Sequence, residues 1–322
     1  MWLAIVAVIV GLAILVWSAD VFIDGAVVLA NKLNVPSFLI GVVILGLGTS
    51  APEMVVSVLA ALEGSPELAL GNAYGSNIIN IALVLGATVL ISPIIIRSSI
   101  IKRDMPLLLL VTAVAAWQLS DGVLGHTDGL VLIVLLVMIL AIQIVLSLRE
   151  GNHEHEDDPA LESSEETSAI RGIGTLFLGL LVLILSSRAI VWGAVELATL
   201  WGLSELMIGL TIVAVGTSLP ELVASLSAAR KGEHDMALGN IIGSNIFNTL
   251  AVVGLAALIA PITPNAIILS RDILAMGLLT ILLFAMCLFA FTTKRNFGRS
   301  SGATLVLFFI GYTFWLIQTV SV

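Results

Sequence analysis

The stretch Gly48-Thr49-Ser50-Ala51-Pro52-Glu53 interrupts a long apolar run with a proline and a carboxylate, and it occurs twice. Its second copy is Gly216-Thr217-Ser218-Leu219-Pro220-Glu221, at an offset of 168 residues (216 − 48). Each copy is followed at the same distance by a second polar stretch. These are Gly71-Asn72-Ala73-Tyr74-Gly75-Ser76-Asn77 and Gly239-Asn240-Ile241-Ile242-Gly243-Ser244-Asn245. Carboxylates, hydroxyls and amides inside hydrophobic sequence are costly in lipid. Their appearance twice in register points to one site built from two halves.

The surroundings of these motifs identify the solvent. The chain has 322 residues, of which 59% are hydrophobic and only 11% charged, against about 25% charged in soluble domains. Its apolar runs are unbroken and long enough for helices across a hydrocarbon core of about 30 Å. Barrel strands would instead alternate in polarity over about 10 residues. The net charge of −9 gathers largely between Glu150 and Glu166, and no basic stripe suited to nucleic acid exists. The single cysteine, Cys287, lies in an apolar run and reads as an inert buried thiol. The N-terminus lacks a positive leader and its apolar run continues to about Ala30, so a retained first helix is expected.

The fold expected is an all-α polytopic membrane protein of ten transmembrane helices, arranged as two inverted-topology five-helix repeats. The spans fall at 2–30, 36–62, 68–95, 104–119, 128–148, 173–199, 204–229, 236–262, 272–292 and 303–321. Residues 1–154 form the first repeat, with its motif region at 36–94. Residues 155–168 form an acidic cytoplasmic linker, and 169–322 the second repeat, with its motif region at 204–262. Placing both termini outside makes every lysine and arginine cytoplasmic except Arg188, within the sixth span, and Arg271. Five helices per half is an odd number, so the halves lie upside down relative to each other. Arg103-Asp104 and its copy Arg271-Asp272 then fall on opposite sides, which accounts for Arg271. Inverted repeats around a midplane site are the architecture of secondary transporters, here expected in the inner or plasma membrane.

Thr49, Glu53 and Ser57 lie at i, i+4 and i+8 on one helix face, and Asn72, Ser76 and Asn80 repeat the spacing on the next helix. Thr217, Glu221 and Ser225, then Asn240, Ser244 and Asn248, do the same in the second half. Pro52 lacks an N–H and its ring clashes with the carbonyl of Gly48, freeing carbonyls nearby. Together the halves supply carboxylates, hydroxyls, amides and loosened carbonyls. An all-oxygen set suits a hard cation such as Ca²⁺. No soft ligand is near, which argues against zinc or copper. Two ionised glutamates neutralise one Ca²⁺ or two Na⁺, and protons can bind the same carboxylates.

At these residues the chain resembles the cation/calcium antiporter superfamily, the sodium/calcium exchangers, and in particular its bacterial calcium/sodium antiporter branch. The paired GTSxPE and GNxxGSN motifs look like the family's two alpha repeats. The resemblance implies that Glu53 and Glu221 are the principal Ca²⁺ ligands, shared with Na⁺, and that Thr49 and Thr217 offer backbone carbonyls. Ser50, Ser76, Ser218 and Ser244 would complete flanking Na⁺ sites, with Asn80 beside the central one. Some members, including potassium-dependent ones, carry aspartate where this chain has Asn248, which weakens a case for K⁺ co-transport. The long first and sixth spans resemble the helices that slide across the rest.

The function expected is therefore Ca²⁺/Na⁺ antiport by alternating access, with Ca²⁺/H⁺ antiport as the alternative and no cofactor. The partners are the ions and the lipid bilayer, not nucleic acid. A channel would want a pore ring from several subunits, whereas one chain supplies this site and a monomer suffices. No histidine falls within a span, so neither a serine–histidine nor a histidine–metal centre forms there and no enzyme is expected. Asp20, Asp24, Arg188 and Glu196 on the long spans read as structural pairs or snorkelling side chains. His153-Glu154-His155-Glu156 reads as a solvated charge run.

Overall fold

Apolar runs leave the backbone no polar partner but itself, so each is helical. The computed structural model describes residues 1–154, 169–202, 212–264 and 268–320. The expected linker 155–168, the first part of the seventh span at 203–211, and residues 265–267 and 321–322 lie outside the described residues. The helices are α1 (Trp2–Leu33), α2 (Ser37–Leu62), α3 (Pro66–Ile91), α4 (Met105–Gln118) and α5 (His126–Glu154). They continue as α6 (Ala169–Leu200), α7 (Leu219–Arg230), α8 (His234–Ile259), α9 (Leu274–Thr292) and α10 (Arg299–Val320). Among the described residues, eight of them are long and apolar enough to cross a membrane. α4 has 14 residues, and the described part of α7 has 12.

Turn chemistry repeats between the halves. The α2–α3 turn passes through Gly64 at φ 82° and the α7–α8 turn through Gly232 at φ 83°, a region that excludes most side chains. Helical π-turns recur at matching places too, at Asn80–Leu85 and Asn248–Val252, and at Ile100–Asp104 and Ile268–Ile273. Such turns often mark functional positions in helices. Two isolated antiparallel bridges exchange ends between the halves. Ile94, after α3, pairs with Phe297, and Ile262, after α8, pairs with Leu124.

Close helix approach is set by glycine. A Cβ at Gly25 would meet the Leu176 backbone nitrogen at 2.4 Å, and one at Gly179 would meet that of Phe22 at 2.5 Å. Gly11 faces Ile190 and Gly193 faces Ala4, so contacts run from opposite ends and α1 and α6 cross antiparallel. With little hydrophobic drive between helices in lipid, backbone proximity of this kind holds them together. The buried apolar side chains divide accordingly. One cluster joins α1 and α6 to parts of α2, α7 and α8, and a larger one joins the remaining helices.

Cys287 is free and buried on α9, as an inert thiol would be. Asp20 and Asp24 have partners on α7 and just beyond it: Ser227 donates to Asp20 at 2.5 Å, and Lys231 pairs with Asp24. Arg188 and Glu196 are exposed on α6.

Gly25→Ala forces a Cβ against backbone that cannot give, and overpacking of this kind costs about 1–3 kcal/mol. Gly174→Ala, with nothing within 4 Å, serves as control. Thermal unfolding in detergent is expected to show a lowered Tm for the first and an unchanged or slightly raised Tm for the second.

Candidate cation site

The two proline motifs fold differently. In the first, α2 stays helical through Gly46–Leu62 with Pro52 inside it. In the second, a short turn at Ala214–Thr217 ends at Ser218 (φ −91°, ψ 7°), and α7 starts afresh with Pro220 in its first turn. Proline is tolerated there because its missing N–H would have no helical partner. The carbonyl it leaves free, Gly216 O, accepts a hydrogen bond of 3.0 Å from Ser187 on α6. The matching residue in the first half is Ala19, which has no hydroxyl. At Gly216, then, the expected loosened carbonyl is taken by a side chain rather than left for an ion.

Thr49, Ser50 and Glu53 on α2 are fully buried, as are Asn80 on α3, Glu221 on α7, and Ser244 and Asn248 on α8. Ser76 and Ser218 are buried too, and Thr217 is half-buried. Glycine brings α2 and α8 into backbone contact: a Cβ at Gly46 would lie 2.9 Å from Gly243, and one at Gly243 only 2.4 Å from Val42 O. The Thr49 hydroxyl lies 3.2 Å from both Ser244 Oγ and Asn240 Oδ1, and 3.0 Å from Leu45 O. Asn240 Nδ2 donates to Ser225 Oγ at 2.8 Å and to Glu221 O at 3.3 Å. One amide thus braces the Glu53 helix against the Glu221 helix.

Around this brace lies a set of polar atoms that the protein leaves unsatisfied. Ser50 Oγ, Ser218 Oγ, both carboxylate oxygens of Glu53 and Glu221, and both amide atoms of Asn80 and Asn248 are buried without a hydrogen-bond partner. Buried polar atoms are nearly always paired, so such a concentration calls for a ligand. Neither glutamate has an ion-pair partner among the described residues, and each carboxylate acts electrostatically on the other. Among the described residues no three His, Cys, Asp or Glu side chains cluster to hold a metal. The donors are two carboxylates among hydroxyls and amides, which is hard-cation chemistry.

The family model for sodium/calcium exchanger proteins matches residues 3–145 and 171–318. The chain belongs to the sodium/calcium exchanger family. It is accordingly a transmembrane cation antiporter of the cation/calcium superfamily. It is 45% identical to the putative antiporter CaxA of Alkalimonas amylolytica over 99% of this chain and all of that one. It is 39% identical to the inner membrane protein YrbG of Escherichia coli over 98% and 96% of the two chains. Its structure superposes on the sodium-calcium exchanger NCX_Mj, soaked with zero Na⁺ and Ca²⁺, with a TM-score of 0.81 at 30% identity. That match covers 96% of this chain and 97% of the other.

The sequence analysis placed Asn240 on a polar helix face with Ser244 and Asn248 but gave it no role of its own; the structure makes it the brace. Its matching residue, Asn72, is half-buried and makes only a long bond of 3.4 Å to Ser57 Oγ. Asn77 and Asn245 diverge as well. Asn77 donates to Thr249 Oγ1 across the halves at 2.7 Å, and Asn245 donates to Ile241 O in its own helix at 2.8 Å. Packing follows the same split, with Gly239 and Asn240 buried where Gly71 is exposed. Nothing in two nearly identical motifs could signal which copy is closed over.

Asn240→Ala removes three bonds from a buried position and leaves Thr49 and Ser225 short of partners. Unsatisfied buried groups cost about 1–3 kcal/mol each, so a clear drop in thermal stability is expected. Asn72→Ala is expected to change the midpoint far less in the same melt.

Proposed function

We propose that the protein exchanges Ca²⁺ for Na⁺ by alternating access, at a midplane site shared by its two halves. The observation that carries this is the buried set of unpartnered oxygens around Glu53 and Glu221. Two carboxylates in low dielectric are tolerable only when a cation or proton accompanies them. Empty, the pair resists moving; with one Ca²⁺ or with Na⁺ it is neutralised, and exchange follows. Glu53 and Glu221 are the principal Ca²⁺ ligands and also serve Na⁺. Thr49 and Thr217 contribute carbonyls, Ser50, Ser76, Ser218 and Ser244 complete flanking Na⁺ positions, and Asn80 and Asn248 lie beside the centre. Their amides add donors without adding charge, so the fixed charge stays at the two glutamates.

Ten spans in two inverted five-helix repeats, with both termini outside, make up the frame of this proposal. The antiparallel crossing of α1 and α6, which occupy matching places in the repeat, supports inversion. So does the exchange of the two bridges between halves. One chain holds both carboxylates, so a monomer is the transporting unit. The relatives' names, an antiporter and a sodium-calcium exchanger, point the same way.

Purified protein in Na⁺-loaded proteoliposomes is expected to take up ⁴⁵Ca²⁺ down an imposed Na⁺ gradient. Uptake driven by a pH gradient but not by Na⁺ would reassign the counter-ion to H⁺. Glu53→Gln and Glu221→Gln are each expected to reduce Ca²⁺ uptake to background. Normal flux in either variant would overturn the two-carboxylate site.

A further inference from the structure

Both amide atoms of Asn248 are buried without a hydrogen-bond partner, so no side-chain bond of its own fixes where that amide points. Its direction is set by the backbone beneath it. That backbone is the π-turn Asn248–Val252, in which the Val253 N–H bonds back to Asn248 O, five residues earlier. A π-turn carries one residue more than the α-helical ladder accommodates, and such turns are rare. Closing it into regular α-helix would rotate the helix on its two sides by about 100° relative to each other. An amide standing on this turn keeps its aim only while the turn is held.

One side chain of the turn is tied across the molecule. Thr249, directly after Asn248, accepts at Oγ1 a hydrogen bond of 2.7 Å from Asn77 Nδ2 on α3. The same Nδ2 lies 3.5 Å from Met276 Sδ on α9, and Asn77 and Thr249 are both buried. The tie therefore falls one residue past Ser76 on α3 and one residue past Asn248 on α8. It fixes the spacing of two helices that each bear residues of the candidate site.

The other half has no such bond. The counterpart of Thr249, 168 residues earlier, is Ile81, which offers no hydroxyl. Asn245, the counterpart of Asn77, instead donates to Ile241 O in its own helix at 2.8 Å. Of the two buried amides beside the glutamates, Asn248 stands on a turn tied in this way and Asn80 does not.

We propose that Asn77 is a positioning residue for the ion site. Through Thr249 it holds the α8 π-turn and so aims the Asn248 amide at a cation bound by Glu53 and Glu221. The proposal rests on the reading of those three residues as part of the ion site. Asn77 itself does not touch the ion. Its contribution is preorganisation: an amide already aimed loses less freedom when the ion arrives, which strengthens binding without adding a ligand.

The test measures Ca²⁺ dissociation constants of purified full-length protein by equilibrium binding of ⁴⁵Ca²⁺, a readout independent of the counter-ion. Asn248→Ala is expected to weaken binding. Asn77→Ala and the isosteric Thr249→Val are each expected to raise Kd about fivefold, the ratio that one net hydrogen bond carries. Added to Asn248→Ala, Asn77→Ala is expected to change Kd by less than about twofold, because no amide is left to aim. Added to Asn80→Ala, it is expected to keep its full effect. Thr249→Ser retains the hydroxyl and is expected to bind like the unaltered protein. Thr112→Val removes a buried hydroxyl bonded to Leu108 O on α4, and is expected to leave Kd unchanged. Should Asn77→Ala not fold, Thr249→Val carries the same comparison. General destabilisation would not distinguish the Asn248→Ala and Asn80→Ala backgrounds, so equal effects in both overturn the proposal. Asn77 Oδ1 has no hydrogen-bond partner. Were that oxygen itself an ion ligand, Thr249→Val would leave Kd unchanged and Asn77→Ala would add in full to Asn248→Ala; either result also overturns the positioning role. An unchanged Kd in Asn248→Ala would instead remove Asn248 from the ion site, and with it the reading on which the proposal rests.

Discussion

Two carboxylates buried in an apolar bundle without a protein partner are the constraint on which everything else depends. Taking a charge out of water costs several kcal/mol even after relaxation. Other buried ions in this molecule meet that cost inside the protein, as Arg271 does with Asp272 and Thr319, Asp272 in turn accepting from the Tyr312 hydroxyl. Glu53 and Glu221 do not. Their oxygens are left without a partner among the described residues, which is the observation the proposed cation site rests on. The surrounding groups divide between bonded and unpartnered ones. Thr49, Asn240 and Ser225 bond to one another and hold the helices in place, while Ser50, Ser218, Asn80 and Asn248 keep their polar atoms open.

Holding such a site needs rigid backbone at short range. Glycine supplies it at Gly46 and Gly243, where α2 and α8 touch main chain to main chain. The same device joins α1 to α6, and the apolar cluster around them takes in parts of α2, α7 and α8. Polar ties from α1 to Ser227 and Lys231 add to that packing.

Much of this was legible in the chain. Apart from the seventh span, whose first part lies outside the described residues, the apolar runs place the helices to within several residues, because a backbone in lipid has no alternative to its own hydrogen bonds. The repeated motifs name the buried polar residues, because charge in such surroundings is too costly to be incidental. Other features depended on partners far apart in sequence. Pro52 and Pro220 occupy identical motifs, yet one lies inside a continuous helix and the other begins a new one. The difference coincides with Ser187, which caps Gly216 O, while Ala19 offers nothing at the matching place. Asp20 and Asp24 read as structural or snorkelling charges, and their partner Lys231 lies more than two hundred residues away.

The sequence by itself determined that this is a helical membrane protein with a duplicated, oxygen-rich and acidic centre. Hydropathy and exact repetition are local properties that need no contact to be read. Only the tertiary structure decided which copy is closed and which is open. Packing breaks the tie: Asn240 is buried and fully bonded, Asn72 is half-buried and barely bonded, and the same residue type ends in two states because its neighbours differ.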